Sequence, residues 1–502
     1  MLESVEFTEE QQKKINQYTL LFANLKKNII QDLYNNHNES IIYKKYPKDR
    51  VIKMFDNPQR NEKAFRELSG FLYLVSSHYR RLVDYYASIL LYNYTVVPTN
   101  IPQKVKKAEY RNTYMHVIQL CEKYNLRQES KKAIKIAVRD GVFYGLYYET
   151  NDSFYIKPFD NRYAQVSSVE DGCFKFSMDL NYFSGKEYLL DMYGTKIKNA
   201  YEQYRGNKEK NIKADKTKRW YEPLNGICIK ADETDPVYSL PMFTGLMMNI
   251  FDIEDYSLLK KAKAENENYK ALAMKMAVDD DGIPKMDYEL AMKYYSQAAG
   301  NIPDGIGLIL SPFDIQDFSF HNGTTSERDA VVDAEENFYF SAGTSPLIFG
   351  SSKATSSSSL SLSVKPDEEV AFGLLEQIQR FFNKKLKKMD LPYDFAIKFL
   401  NQSIFNQSEF VDKFKTAATY GVPVKMQYSA SLGLSPSDTV GMSYIEDDIL
   451  ELGKKKWVSP LVSSAVQSGK GDDKGGRPTA EEAGIQIGDS GEKTRNADGN
   501  DR

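Results

Sequence analysis

A chain of 502 residues, 41% of them apolar and 27% charged, has room for roughly two to four domains and the composition of an ordinary folded soluble protein. Lys and Arg number 66 against 69 Asp and Glu, a net charge of −3. That excludes a surface that grips nucleic acid everywhere, since such affinity comes from neutralising phosphates, but it leaves open a protein that surrounds nucleic acid without holding it. No segment approaches the roughly 18 apolar residues of a membrane span. The opening MLESVEFTEEQQKK has neither the basic nor the apolar region of a secretion signal, so the chain is expected to be cytosolic when made. Cys121, Cys173 and Cys228 lie far apart with no CxxC pair, which points to buried thiols in a reducing compartment. The 35 Tyr and 27 Phe suit broad packed interfaces as well as large cores.

Taken in chain order, Phe7 to Asn36 reads as a helix with Ile15, Thr19, Phe22, Leu25 and Ile29 near one face. Asp49 to Pro98 reads as more helix, broken at Asn57–Pro58, with Asn61 placed to cap the helix that carries Phe65, Leu68, Leu72 and Val75. His78-Tyr79-Arg80-Arg81 fits either a basic–aromatic nucleic-acid patch or a helix with one packed face and two solvated arginines. After Lys131 the pattern turns to strand. YGLYYET and SFYIKPF form a hairpin about Asn151–Asp152, followed by strand GCFKFSMDL, helix KEYLLDMYGTKIKNAYEQYRG and strand NGICIKADE. The basic run Lys213 to Trp220 fits a solvated loop, or a contact with nucleic acid or a partner.

Leu240 to Gly350 organises the rest. An outgoing helix places Phe243, Leu246, Met247, Ile250 and Ile253 on one face, with Pro241 before its first turn. KALAMKMAV and GIGLIL then read as short strands around a helix over MDYELAMKYYSQAAG. Asp279-Asp280-Asp281-Gly282 lacks the alternating ligands of a calcium loop and suits a turn. A returning helix opens on Thr324 and Glu327, spaced as a capping box, and closes on Gly343 with Pro346 soon after. At 100° per residue, Asp329, Asp333 and Glu336 share one stripe, and Val331, Ala334, Phe338 and Ala342 lie opposite. The Ser-rich run Ser351 to Ser363 follows, with Pro366 expected to start the next helix, whose buried side is Val370, Leu374, Ile378, Phe381 and Leu386. YDFAIKFL is a strand, short helices follow to about Ser464, and Gln467 to Arg502 is too polar to pack and is expected to be disordered.

This order of helix, small insertion, acidic helix, polar loop and helix resembles the portal proteins of tailed bacteriophages. The words NPQRNEKAFRELSGFLYLVSSHYRRLVDYYA resemble the N-terminal region of portals from long-tailed phages of Gram-positive bacteria. Near the C-terminus the likeness is most specific: Phe405-Asn406, Glu409, Ala417-Ala418, Gly421, Pro423, Lys425, Leu432-Gly433 and Ser435-Pro436 fall in the order that family shows. The resemblance runs from about Tyr43 to Ser464. It implies an α+β, predominantly helical, portal-type fold assembled as a dodecameric ring. Residues 1–239 would hold N-terminal helices and an α+β wing, 240–268 an outer stem helix, 269–323 a small α/β clip and 324–343 an inner stem helix. Residues 344–364 would be the tunnel loop, 365–400 a wing helix and strand, 401–466 the helical crown, and 467–502 the tail.

It further implies a ring at one capsid vertex through which DNA is packaged and ejected. Asp329, Asp333 and Glu336 would line the channel, and Lys353, Ser356, Ser357 and Ser358 would touch DNA from the tunnel loop. Phe243, Met247, Ile250, Val331 and Phe338 would serve subunit packing. The implied partners are further copies of the chain, major capsid and scaffold protein, the terminase large subunit, a head–tail adaptor, and double-stranded DNA passing without sequence specificity. No membrane is implied, and the location is the virion, with the host cytoplasm during assembly.

No chemistry-bearing motif competes with this. There is no GxxxxGK[ST] loop, no HExxH among His37, His78, His116 and His321, and no GxSxG elbow, so no cofactor, metal or catalytic residue is expected. The remaining alternatives are another head–tail connector or minor capsid protein, and a nucleic-acid-processing enzyme with an unrecognised site.

Overall fold

Helical periodicity organises the first layer. The computed structural model describes residues 41–100, 103–210, 218–235, 237–268, 270–275, 285–286, 288–299, 306–311, 326–349 and 357–452. Helices α1 (Ile41–Lys45), α2 (Lys48–Phe55), α3 (Glu62–Val75) and α4 (Ser77–Ser88) bury Val51, Phe65, Leu68, Leu72, Tyr79, Leu82 and Val83. Asn61 does precede α3, but its amide donates to the Met54 carbonyl at 2.9 Å and caps nothing; Val75 stays partly exposed at the helix end. The expected helix from 7 to 36 lies outside the described residues.

Tyr94–Pro98, read from sequence within a helical stretch, is instead strand β1. It pairs antiparallel with β10 (Phe395–Phe399), three hundred residues away. β-Branched Thr95, Val96 and Val97 fit a pleated surface better than a helix, and the partner lies too far along the chain for local pattern to reveal. Helices α5 (Lys107–Tyr124) and α6 (Leu126–Asp140) then lead into the main sheet.

That sheet is antiparallel, ordered β3-β2-β7-β5-β4. Its strands are β2 (Val142–Glu149), β3 (Phe154–Pro158), β4 (Ala164–Glu170), β5 (Cys173–Asp179) and β7 (Gly226–Lys230), with the two-residue β6 (Trp220–Tyr221) on β5. The β2–β3 hairpin is as expected. The helix expected over Lys186 to Gly206 is split: a 3₁₀ segment, Glu187–Met192, then α7 (Thr195–Glu209), with Gly194 at φ +90° between them. Tyr144, Phe159, Phe176, Phe183, Tyr193 and Tyr201 fill the core on this side, which is where much of the aromatic excess goes.

Helix α8 (Met247–Asn268) leaves this body, and β8 (Lys270–Lys275), α9 (Tyr288–Ala299) and β9 (Ile306–Ser311) follow in the strand–helix–strand order read from sequence; β8 and β9 pair in parallel. Helix α10 (Ser326–Ser341) returns and packs along α8.

Helix α11 (Ser357–Lys387) corrects the expected polar loop. Ser357 to Val364 is helical, and Pro366 sits inside the helix instead of starting it; Lys353 and Ser356 lie outside the described residues. The lost ladder hydrogen bond at Pro366 is tolerated because Val364, Asp367, Glu368 and Ala371 are all buried around it. Val370, expected on the buried side, is 41% exposed, and Ala371, Phe372, Leu375 and Phe382 pack there with Leu374, Ile378, Phe381 and Leu386. Helices α12 (Gln407–Thr419) and α13 (Lys425–Ser431) follow; α12 ends before Gly421 at φ +77°. The chain divides into two compact units at Ser437/Asp438, inside the stretch expected to form one crown. Helix α14 (Pro436–Ser443) spans that division and runs on into a π-helical turn, Tyr444–Ile449.

Strand β5 touches β7 only at Phe174–Cys228, which leaves the Lys230 edge without a strand. Gln377 of α11 fills it: its carbonyl accepts the Lys230 N–H at 3.0 Å and its amide donates to the Lys230 carbonyl at 2.7 Å, both buried. Gln377→Leu keeps the volume and strands two buried backbone groups, so we expect a loss of about 2–4 kcal/mol. Val370→Ala should change stability by under about 0.5 kcal/mol. Denaturant unfolding of both variants checks this.

Candidate functional site

The helix pair α8/α10 is anchored where it leaves the body. The chain enters it over Gly141, whose φ is +81° and where a Cβ would lie 2.2 Å from the Leu240 carbonyl oxygen. Only glycine permits that approach. The Thr244 hydroxyl and N–H both donate to the Pro241 carbonyl, at 2.6 and 3.1 Å, turning the chain into α8, which starts at Met247 and not at the expected residue 240.

From there Phe243, Leu246, Met247, Ile250 and Ile253 are buried on one face, as their spacing implied, together with Phe251. Phe243 meets Tyr79 and Tyr86 of α4 with ring centres 6.4 and 5.5 Å apart. On α10, Phe338 is buried and Val331 half-buried. Phe243, Met247, Ile250 and Phe338 are thus buried within the single chain, the apolar back of α10 facing inward. Among the described residues of the pair, the exposed large apolar side chains are Tyr256 and Leu259 on α8, and Val332 and Phe340 on α10.

Of the acidic stripe, Asp333 is exposed and Glu336 half-exposed; Asp329 lies one turn earlier in the same helix. Phe340, 64% exposed, continues that stripe, so the face is acidic with an aromatic end. The helix stops as its sequence implied. Gly343 adopts φ +76°, its N–H bonds the Phe340 carbonyl at 2.9 Å, and the Thr344 N–H bonds Tyr339 at 3.2 Å. The proposed N-terminal cap at Thr324 lies outside the described residues.

The His78–Arg81 segment pins this end. His78 Nδ1 lies 3.2 Å from the Tyr339 hydroxyl and its Nε2 lies 3.6 Å from Glu335. The Arg81 guanidinium sits 5.6 Å from the centre of the Phe349 ring and donates to the Phe349 carbonyl at 3.3 Å. Phe349 stacks on Tyr339 at 4.2 Å. Arg80 donates to the carbonyls of Tyr73 and Leu74, both at 2.9 Å, closing the end of α3. Tyr79 is buried and donates or accepts against Ser69 at 2.7 Å. The segment is therefore packed structure, and no basic–aromatic patch forms. The basic run from Lys213 is described only from Lys218, where Arg219 is paired with the buried Asp179.

Linear pattern gave no sign of these anchors, nor of Asp367. The Tyr85 and Tyr86 hydroxyls donate to the Asp367 carboxylate at 3.1 and 2.8 Å, joining α4 to α11. Burial pushes the Asp367 carboxyl up, with Glu368 adding to the rise, against the pull of the two tyrosines. On the far side, Lys48 of α2 bonds Asp252 and Asp255 of α8, both at 2.9 Å, and the Tyr43 hydroxyl also bonds Asp255. Among the described residues no group of three or more His, Cys, Asp or Glu could hold a metal ion, and no helix is long and apolar enough to cross a membrane. Cys121 and Cys228 are buried, and burial raises both thiols; all three cysteines are free.

No family model matches the chain, and no curated protein does. Among solved structures, it is similar to a chain in the virion of a native gene transfer agent particle (TM-score 0.39). It is also similar to chains in the neck of the native particle computed with C12 symmetry and in the neck of the empty particle computed with C6 symmetry (TM-score 0.40 each). In each case identity is 11%, over 75% of this chain and 94% of the other. We rest no conclusion on likeness at this level.

Two outcomes follow from the geometry. Phe338→Ala removes a fully buried ring and should cost about 3–5 kcal/mol, whereas Phe340→Ser should leave unfolding within about 0.5 kcal/mol. For Asp367, a raised folded value means its contribution is full below the usual aspartate value of 3.8 and is lost as pH rises through the folded value. Asp367→Asn should therefore gain on the wild type between about pH 4 and neutrality. Denaturant unfolding of both proteins across that range reads the sign.

Proposed function

We propose that this chain is a portal protein: a ring-forming virion component that sits at one capsid vertex and passes double-stranded DNA. The observation that carries the reading is the excursion from Met247 to Ser341, in which one helix leaves the body, a parallel β–α–β unit caps it, and an acidic-faced helix returns alongside. The residues around Phe405 to Pro436 resemble the same family independently of that excursion.

In this reading the protein does no chemistry of its own. Asp329, Asp333 and Glu336, repeated around a ring, would present a wall of like charge to the phosphates, so DNA slides instead of sticking. The surface for neighbouring subunits would include Tyr256, Leu259, Val332 and Phe340, which the single chain leaves uncovered. A separate terminase motor would supply the energy, with capsid, scaffold and head–tail adaptor proteins as the other partners. Lys353 and the serines Ser356, Ser357 and Ser358 would meet DNA.

Electron microscopy of the purified protein should show rings with a central hole wide enough for duplex DNA; a monomer at high concentration, even with capsid and scaffold protein present, would refute the proposal. Replacing Asp329, Asp333 and Glu336 with lysine should leave the rings intact, make them bind duplex DNA in a steeply salt-dependent way, and slow packaging. Packaging at the normal rate would show that these carboxylates do not line the path.

A further inference from the structure

A second feature lies away from the helix pair. Between the C-terminal half of α11 and the β5 and β7 ends of the main sheet is a cleft of about 370 Å³. Lys175, Lys384, Lys385 and Lys388 form its walls, and Phe174, Phe381 and Met389 contribute its apolar floor. Glu170 is the one acidic residue in that lining. At the rim Leu224 is 77% exposed, a large apolar side chain with nothing over it.

The lysines are held in place. The Lys384 and Lys385 side chains are only 12% exposed. Lys384 bonds the Glu170 carboxylate at 2.8 Å and the Glu170 carbonyl at 2.9 Å. Lys385 pairs with Glu149 and lies 4.8 Å from the centre of the Tyr147 ring. Lys175 reaches Glu170 at 2.9 Å and Glu222 at 3.2 Å. Lys388 has no carboxylate partner among the described residues. The cluster already displays its preference for carboxylate: Lys384, then Lys175, holds the Glu170 carboxyl down to about 2.

Fixed ammonium groups over an aromatic floor, with one cation spare and one leucine uncovered, suit a ligand that is both acidic and apolar. We propose that this cleft is a docking site for an acidic segment of a partner protein, one that seats a large apolar side chain on Phe174 and Phe381 and offers a carboxylate to Lys388. A bare anion would leave the floor and Leu224 uncovered, and duplex DNA offers no apolar group to fill them. The apolar contact supplies affinity, and the lysines supply orientation and rate of encounter. The proposal goes beyond the ring reading and does not depend on it, because every residue of the cleft belongs to one chain.

The test uses full-length protein and a fluorescein-labelled peptide, Glu-Glu-Leu-Phe-Glu-Glu, read by fluorescence anisotropy. Lys388→Glu and Leu224→Asp change exposed side chains, and unchanged thermal unfolding confirms that each variant is folded. We expect saturable binding that weakens with salt, a loss of about tenfold for each variant, and a similar loss for Glu-Glu-Gly-Gly-Glu-Glu. Equal binding by wild type and variants, or by the two peptides, overturns the proposal. So does a short DNA duplex that binds more tightly than the peptide and loses affinity on Lys388→Glu, since that result makes the cleft a phosphate site.

Discussion

The structure depends on side-chain amides and carboxylates that finish the edges of its sheets. Neither sheet of the body is closed, and an unpaired buried N–H or C=O costs about as much as a lost hydrogen bond. Helix α11 meets this on two fronts. Gln377 completes β7 at Lys230, while Gln379 and Asn383 complete β10 at Phe399 and Ile397. Glu129 does the same from α6, accepting the Ile156 N–H of β3 at 2.8 Å. One helix thereby fixes the spacing of two sheets, and the apolar burial of Phe372, Leu375 and Phe382 is directed by these polar contacts.

The same helix couples the body to the stem-like pair. Asp367 near its N-terminal half takes two tyrosines of α4, and α4 in turn holds α10 through His78 and Arg81. Helices α10 and α11 are thus joined by way of α4, through hydrogen bonds and stacked rings. The buried carboxylate is costly to keep charged, which makes this junction a place of modest stability in an otherwise apolar interface.

Burial also separates two roles that look alike in sequence. Phe338 and Phe340 are two residues apart, yet one is wholly inside and the other mostly outside. The inner one secures α10 against the body. The outer one shares its face with Asp333, so the helix presents charge and an uncovered ring together. Carboxylates and an uncovered ring are thus features of one face of one helix.

Sequence alone determined the elements whose cause is local. The apolar face from Phe243 to Ile253, the stop at Gly343, the β2–β3 hairpin and the strand–helix–strand insertion all follow from periodicity and turn chemistry, which act within a few residues. It misjudged Tyr94–Pro98 and Ser357–Val364 because strand pairing with Phe395–Phe399 and the burial around Pro366 override local preference. Only the tertiary structure decided which side chains meet: His78 with Tyr339, Tyr86 with Asp367, Gln377 with Lys230, Lys384 with Glu170. Those partners lie more than a hundred residues apart, and a contact made by chain return leaves no trace in spacing. The acidic stripe was legible as a pattern, but the exposure of Phe340 beside the burial of Phe338 came from how the helix is seated.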